Sequence, residues 1–386
     1  MSGVQTNLTQ AKQFRVQSMH FKAKAGESLH NASLQKNLGK AKGKFVEKRA
    51  HAFEDLAAEG CAFADLQAAG KAIRERALVD LDVWLERFEA NATQAGATVL
   101  WARDGAEVCR HVVDIARRHQ IKKAIKSKSM LSEEAGLNQA LEAAGVQPVE
   151  TDLGEYILQI SNNEPPSHII APVIHKSVDQ VADLFASVHG KSRKTAIPDL
   201  TREARAVLRE HFVTADMGIS GGNFLVAETG SVALVTNEGN GRMVTTLPRV
   251  HVVITGIEKV IPTLEDLATL MRLLPRSATG QAISNYFSIL TGTKRPGDLD
   301  GPDHLYFVLV DSGRADMVGG TFREMLRCIR CGACMNHCPV YQSVGGHAYG
   351  WVYPGPMGSV LTPTYVGLQN AGDLPNAATH THRSLQ

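Results

Sequence analysis

The chain has 386 residues, of which 44% are hydrophobic and 21% charged, which is ordinary for a globular protein of two or three domains. Its formal net charge of +2, without a basic stripe interleaved with aromatic residues, argues against nucleic-acid binding. No apolar run approaches the length of a transmembrane helix, and the N-terminus lacks the apolar core of a signal peptide, so we expect a cytoplasmic protein.

The N-terminal part of the chain reads as helical. Its first 45 residues hold eight Lys or Arg and one acid, Glu27, which is also typical of a transit peptide. Because the basic residues are mostly Lys, we favour a solvated, partly helical arm. Apolar residues at helical spacing then run from Arg74 to Ala95, and Gly96 ends the helix. Residues 1–96 are therefore predicted to form a helical N-terminal arm.

After Gly96, short apolar strands alternate with amphipathic helices. This alternation predicts βαβ units and a parallel sheet with helices on both faces. The predicted strands are Thr98–Ala102, Lys123–Lys126 and Ser167–Ala171, and the predicted helices are Ala106–His119, Ser132–Ala144, Ser177–Val188 and Pro198–His211.

From Asp216 the chain is rich in β-branched residues and glycine. We expect a turn at Met217–Gly222, a helix at Thr263–Leu274 and an irregular covering segment over 275–303. The predicted strands are Asn223–Glu228, Ser231–Thr236, Arg242–Leu247, Val250–Thr255 and Leu305–Val310. Residues 97–312 are thus predicted as an α/β domain with a parallel or mixed sheet. Residues 313–386 are predicted as a cluster segment that is irregular from residue 343.

Four of the six cysteines stand close together in the last segment, at Cys328, Cys331, Cys334 and Cys338. Their spacing, C-x2-C-x2-C-x3-C followed by Pro339, is that of bacterial ferredoxins and predicts ligation of a [4Fe–4S] cluster. Gly332 permits a tight turn, and Pro339 fixes its own φ and helps to end the loop. In two-cluster ferredoxins, the fourth cysteine of such a motif binds the other cluster.

Zinc ligation and disulfide bonding are less consistent with the spacing of these cysteines. A zinc knuckle more often has two separated C-x2-4-C pairs or histidine ligands. A disulfide framework needs a small secreted chain. The remaining cysteines, Cys61 and Cys109, lie in helical patterns and are predicted to be small buried hydrophobic residues.

Some polar residues are candidates for binding an anion or a substrate. Lys126 and Lys128 follow a predicted strand and precede a helix, where open α/β sheets bind ligands. The glycine-rich segment 218–222 and the loop with Asn240 can present N–H groups, and Arg242 can hold a carboxylate in a bidentate contact. The alternative is that the glycines shape turns and the lysines are solvated.

Glu228 is the candidate catalytic residue, because a carboxylate at the end of a strand can act as a general base. The alternative is a glutamate that only accepts hydrogen bonds from neighbouring backbone N–H groups.

Several separate stretches resemble one family, the lactate-utilization iron–sulfur proteins, the B-type subunit of a three-protein system for L-lactate oxidation. The resemblance covers residues from about 45 to about 360. It rests on Lys126–Met130, Glu150–Tyr156, Pro165–Pro172, Asn223–Ser231, Thr236–Arg242 and the cysteine motif.

The resemblance implies a fold like those of CoA transferases and sugar-phosphate isomerases, with an attached ferredoxin-like module. It also implies two [4Fe–4S] clusters, association with other subunits of a lactate-oxidising complex, and electron transfer during oxidation of L-lactate to pyruvate. The electron acceptor is not implied.

The chain departs from the family in one respect, because it contains no second C-x2-C-x2-C-x3-C motif. Three interpretations remain open. The chain is a truncated form of a longer protein, which is the simplest. Alternatively it binds one cluster, completed by Cys338 or by a ligand other than cysteine, or it binds a three-iron cluster.

The function expected first is therefore that of an electron-transfer subunit in L-lactate oxidation. One alternative is that the α/β domain itself binds a substrate or cofactor and catalyses a reaction. The other is an assembly scaffold in which the cluster is structural.

Overall fold

The computed structural model describes residues 17–284 and 286–374, and within them the chain forms two compact units. Unit 1 comprises the residues up to Lys48, Asp152–Glu210 and the residues from Gly332 onward. Unit 2 comprises Arg49–Thr151 and His211–Cys331. The division into a helical arm, an α/β domain and a cluster segment stays a prediction.

The described strands all belong to unit 2. They are β1 Ala97–Ala102, β2 Lys123–Lys126, β3 Gln147–Glu150, β4 Met217–Ser220, β5 Phe224–Val226, β6 Ser231–Thr236, β7 Val250–Gly256, β8 Val260–Ile261, β9 Tyr286–Leu290 and β10 His304–Val310. Six of them form a sheet in the order β1-β10-β7-β4-β2-β3, in which every pair is parallel. The other four form a mixed sheet in the order β8-β5-β6-β9.

The helices begin in unit 1 with α1 Phe21–His30 and α2 Ala32–Ala58, which crosses into unit 2. The helices that follow are α3 Phe63–Val79, α4 Leu81–Gln94, α5 Gly105–Arg118, α6 Met130–Ala135, α7 Leu137–Ala143, α8 Leu153–Ile160, α9 Val178–His189, α10 Ile197–Thr214, α11 Asn240–Thr246, α12 Leu264–Thr279, α13 Arg314–Val318, α14 Ala333–His337, α15 Pro339–Val344, α16 Gly355–Val366 and α17 Leu368–Ala371. In the described part of the chain, no helix combines the length and the apolar character that crossing a membrane requires.

The core of unit 2 lies between the strands and the long helices. Phe88 of α4 packs edge-on against Phe307 of β10, with their ring centroids 5.1 Å apart, inside a cluster that also contains Val253 of β7. A second cluster joins Ile73 of α3 and Leu270 of α12 to the mixed sheet. These contacts confirm the predicted α/β class, with a mainly parallel sheet flanked by helices.

The prediction of a turn at Met217–Gly222 is wrong, because Met217–Ser220 is the central strand β4. Gly218 does not serve a turn there. A Cβ at this position would lie 1.9 Å from the carbonyl oxygen of Val244, so the glycine lets the backbone of α11 approach the strand. Helix α11 also replaces most of the strand predicted at Arg242–Leu247.

Other predictions also need correction. Ser167–Ala171 is a series of bends rather than a strand, and the chain from residue 343 to 374 contains helices rather than irregular structure. Strands β3 and β9 and helix α8 were not predicted. The helices predicted at Arg74–Ala95 and Ser132–Ala144 are each two helices, which meet at Asp80 and at Gly136. Residues 1–16 and 375–386, part of the predicted arm and tail, lie outside the described residues.

Candidate functional site

The cysteine motif is divided between the two units. Cys328 and Cys331 belong to unit 2, and Cys334 and Cys338 belong to unit 1. The first three are half-buried and Cys338 is buried. Each half of the motif is held by contacts within its own unit.

In unit 2, a left-handed residue shapes the first half of the motif. Cys328 follows the short 3-10 helix Arg323–Arg327, and its N–H donates to the carbonyl oxygen of Met325 at 3.2 Å. Arg330 has φ = +60°, and its N–H donates to the sulfur of Cys328 at 3.4 Å. This turn therefore places a backbone N–H donor on the sulfur of Cys328, as is common around the sulfurs of iron–sulfur clusters.

Buried cations also hold this half of the motif. The guanidinium of Arg74, only 2% exposed, donates to the carbonyl oxygens of Val260 and Leu326, both at 3.0 Å. The ammonium of Lys259 donates to the carbonyl oxygen of Cys328 at 3.3 Å. These bonds tie the chain on the N-terminal side of the motif to β8 and α3.

The charges in this region influence one another. Burial lowers the pKa of Lys259 to about 7, Arg330 adds to the effect, and Glu258 and Cys328 oppose it. Burial also lowers the pKa of Arg74 to about 10, against the pull of Glu258 and Cys328. Positive charge near a sulfur favours the thiolate and a negatively charged cluster.

In unit 1, two short helices carry the second half of the motif. Gly332 has φ = +76° and precedes α14, which carries Cys334. Cys338 ends that helix, and its sulfur accepts the N–H of Tyr341 at 3.4 Å. Pro339 is the first residue of α15, so it begins the next helix as well as ending the loop.

The segment that was predicted as a strand, Ser167–Ala171, supports this second half. The ring of His168 accepts the N–H of Ile170 at its Nδ1, which leaves its Nε2 to donate to Asn336 Oδ1 at 3.0 Å. The hydroxyl of Tyr341 donates to the carbonyl oxygen of Ser167 at 2.7 Å. These supporting residues were missed because the apolar pair Ile169-Ile170 is typical of a strand. No spacing signal pairs His168 with a residue 168 positions later.

The arrangement suits an iron–sulfur cluster. It offers four cysteines on one short segment, backbone N–H donors to the sulfurs of Cys328 and Cys338, and buried basic side chains near Cys328. Thiolate ligands, N–H···S bonds and nearby charge are the means by which proteins hold such clusters and set their potentials. Outside the motif, Cys109 is buried as predicted, and Cys61 is half-buried.

The carboxyl edge of the parallel sheet is the second region with functional character. Strand β3 lies next to β2 at one edge of the sheet. The next strand of this sheet in the chain, β4, lies on the opposite side of β2, so the strand order reverses between β2 and β4. Ligands of open α/β sheets bind at such a switch point. Lys126 ends β2 there, and Ser220 ends β4.

Lys126 is not a solvated lysine. It is 1% exposed, and its ammonium lies 2.5 Å from Glu150, 2.6 Å from Asn138 and 3.3 Å from Glu133. Burial alone lowers the pKa of Lys126, but the two carboxylates outweigh burial and raise it. Lys126 therefore keeps its charge inside a buried polar network.

The remaining candidates for anion binding lie in different settings. Asn240 is buried and donates to Thr151 Oγ1 at 3.1 Å, and Thr151 Oγ1 in turn donates to the carbonyl oxygen of Lys126 at 2.7 Å. Arg242 is exposed and lies 3.3 Å from Ser288 Oγ of β9. Lys128 is half-buried in the loop that leads to α6. The structure thus connects Asn240 to Lys126, whereas Arg242 contacts the mixed sheet.

Glu228 caps a helix. Its carboxylate is exposed and accepts the N–H of Leu264, the first residue of α12, at 2.9 Å. A carboxylate at a helix N-terminus is stabilised by the helix dipole. This contact matches the alternative in which Glu228 is satisfied by backbone N–H groups.

Comparisons with known proteins identify two family models in the chain. Family models described as the LUD domain and the 4Fe-4S dicluster domain match residues 85–310 and 324–377, respectively. The second match includes all four motif cysteines, so the cofactor of this segment is an iron–sulfur cluster. Two [4Fe–4S] clusters need about eight cysteine ligands, and the chain has six cysteines.

Among curated proteins, the chain is 40% identical over 365 residues to lactate utilization protein B of Bacillus licheniformis, covering 95% of this chain and 76% of that protein. It is 42% identical over 359 residues to lactate utilization protein B of Lysinibacillus sphaericus, covering 93% and 75%.

A crystal structure of a DUF162 family protein from Deinococcus radiodurans aligns with 60% of this chain and 98% of its own, at 13% identity and a TM-score of 0.33. That score is too low to support a fold assignment, which rests on the strand topology described above.

Proposed function

The chain belongs to the family of lactate utilization protein B, with a LUD domain and an iron–sulfur module, and from this membership we propose that it is the electron-transfer subunit of a complex that oxidises L-lactate to pyruvate. The observation that carries the proposal is the cysteine segment, with its N–H donors and buried cations. Other subunits of that complex are the proposed partners, and the cytoplasm is the proposed location.

In this proposal, Cys328, Cys331, Cys334 and Cys338 hold iron, and the bound cluster accepts and releases single electrons. The chain's own residues keep the sulfurs in place. Arg330 and Tyr341 donate N–H groups to Cys328 and Cys338, and the ammonium of Lys259 fixes the backbone at Cys328. Glu258 and the cations around it determine the net charge near the sulfur of Cys328.

Anaerobic reconstitution with iron and sulfide tests the proposal. We expect a brown protein with about four iron and four sulfide per cluster, and a paramagnetic signal on reduction. In a mixture with the other proteins of the complex, L-lactate should produce the same signal. A colourless protein that takes up zinc through these cysteines would contradict the proposal, and a cluster that no reductant reaches while the complex still turns over would indicate a scaffold.

The switch point favours a second candidate function, in which the carboxyl edge of unit 2 binds the carboxylate of lactate or pyruvate. Lys128, in the loop after β2, is the side chain proposed to attract it. We expect calorimetric titration with pyruvate to show binding that Lys128→Gln weakens by about tenfold. Lys123→Gln is the matched control, because Lys123 begins the same strand at its other end. An isolated chain that binds neither acid would remove this candidate.

A further inference from the structure

Three polar side chains from separate segments of unit 1 converge away from the cysteines. Glu164 follows α8, His175 lies just before α9, and His347 begins the 3-10 helix His347–Tyr349. One ligand atom from each side chain lies within 4.8 Å of the other two, and all three residues are half-buried. No sequence spacing indicates this group, since His347 lies 172 positions after His175.

The hydrogen bonds of the group fix which ring nitrogens keep a lone pair. His347 Nε2 lies 2.8 Å from the carbonyl oxygen of Pro165, which can only accept, so this nitrogen carries the proton and donates. His175 Nε2 lies 2.8 Å from Glu164 Oε1 and donates in the same way to the ionised carboxylate. Nδ1 of His347 is then the nitrogen with a lone pair, whereas His175 faces Glu164 with its Nε2, so an ion held between these two side chains would take the place of the Nε2 proton.

Direct contacts hold the carboxylate beside the histidines. Glu164 Oε1 lies 2.8 Å from His175 Nε2, and Glu164 Oε2 lies 2.5 Å from the ammonium of Lys176. The side chain of His175 is only 10% exposed, and its buried Nδ1 has no hydrogen-bond partner among the residues that the structure describes. This Nδ1 can therefore hold the ring proton when an ion binds Nε2.

We propose that Glu164, His175 and His347 form a binding site for one divalent transition-metal ion of the Zn²⁺ type, separate from the cysteine motif. Two histidines and one carboxylate are the protein ligands of many open zinc sites. Histidine ligands in such sites commonly donate their second N–H to a carbonyl oxygen, as His347 does to Pro165, while at His175 the ion would replace the proton that now lies between Nε2 and Glu164. The ion would clamp the loop around Glu164 and His175 to the 3-10 helix at His347.

Lys176 gives the site a distinctive property. Its ammonium lies 2.5 Å from Glu164 Oε2, so it orients the carboxylate, but its charge repels a metal ion. The site is therefore expected to bind weakly in the native chain and more tightly without the lysine charge. If the group were only a structural hydrogen-bond cluster, removing the lysine charge would not increase the affinity for the metal ion.

Equilibrium dialysis against Zn²⁺ tests the site on the cluster-reconstituted chain. We expect His347→Gln to lower the affinity of one zinc ion by at least ~100-fold and Lys176→Met to raise it by about tenfold. Zinc taken up by the cysteines is common to all variants and cancels in the comparison. Mg²⁺, which prefers oxygen ligands, is expected not to compete.

His51→Gln is the matched control, because His51 is an exposed histidine outside the group, and zinc uptake should be unchanged in it. Thermal unfolding with and without Zn²⁺ gives an independent readout. Zinc should raise the melting temperature of the native chain and of Lys176→Met but not that of His347→Gln. Equal zinc affinity in the native chain and His347→Gln, or weaker binding in Lys176→Met, would overturn the proposal.

Discussion

Replacing Cys328 with alanine is expected to prevent assembly of the iron–sulfur cluster. The sulfur of Cys328 is a proposed iron ligand, it accepts the N–H of Arg330, and its backbone is fixed by Lys259. A site with three thiolates loses the ligand that closes the cubane. After anaerobic reconstitution, iron and sulfide per chain should fall by about tenfold or more, together with the visible absorption of the cluster.

Cys61→Ala is the matched control for this experiment, since Cys61 is also half-buried but lies outside the motif. Its iron content should equal that of the native chain. Cys334→Ala probes the half of the motif that belongs to unit 1 and should lose iron as Cys328→Ala does. Circular dichroism checks that each variant is folded. Iron content that is equal in Cys328→Ala and Cys61→Ala would show that this motif is not the ligand set.

Replacing Glu258 with glutamine is expected to lower the free energy of unfolding by roughly 3–5 kcal/mol. The carboxylate of Glu258 is 3% exposed, lies 2.9 Å from Arg314 Nε and 3.6 Å from Arg330, and is the anion around which these buried cations gather. Glutamine keeps the shape but removes a buried carboxylate that pairs with Arg314 and Arg330, although Glu134 still pairs with Arg314 at 3.1 Å. Urea unfolding measures the loss.

Glu324→Gln serves as its control. Glu324 is 80% exposed and pairs with Arg327 at the surface, so its removal should cost less than about 1 kcal/mol. Similar losses in the two variants would mean that the buried charges around Glu258 do not stabilise unit 2.

The same carboxylate gives the stability a pH dependence of known sign. Burial alone raises the pKa of Glu258, but Arg314 and the neighbouring cations outweigh it and lower the pKa from 4.5 to about 2. Because the unfolded chain then binds the proton more readily, this contribution is complete above about pH 5 and is lost as the pH falls towards 2. The difference in stability between the native chain and Glu258→Gln should therefore shrink between pH 7 and pH 3.

The sequence predicted those features of the molecule that depend on local patterns. Helices and strands with regular apolar spacing, such as α5, β7 and β10, lie where they were expected. The cysteine spacing predicted the iron–sulfur module because four cysteines within eleven residues form a pattern that needs no information on tertiary contacts.

Features that depend on distant partners were not predictable in the same way. Gly218 resembles a turn residue, but its role is set by the close approach of Val244. Ser167 and His168 carry a strand-like pattern, but they serve Tyr341 and Asn336 far along the chain. Lys126 is buried beside Glu150 of the neighbouring strand, and the residues next to Lys126 in the sequence do not predict this pairing.

The order of segments in the two units has a consequence for biosynthesis. The ribosome completes every segment of unit 2 once Cys331 has been made, whereas unit 1 still lacks its third segment, which begins at Gly332. Bonds such as that between His168 and Asn336 close only after that segment emerges, long after His168 itself. The parallel sheet can thus fold first during translation, and the segment that carries Cys334 and Cys338 is among the last parts of the nascent protein to fold.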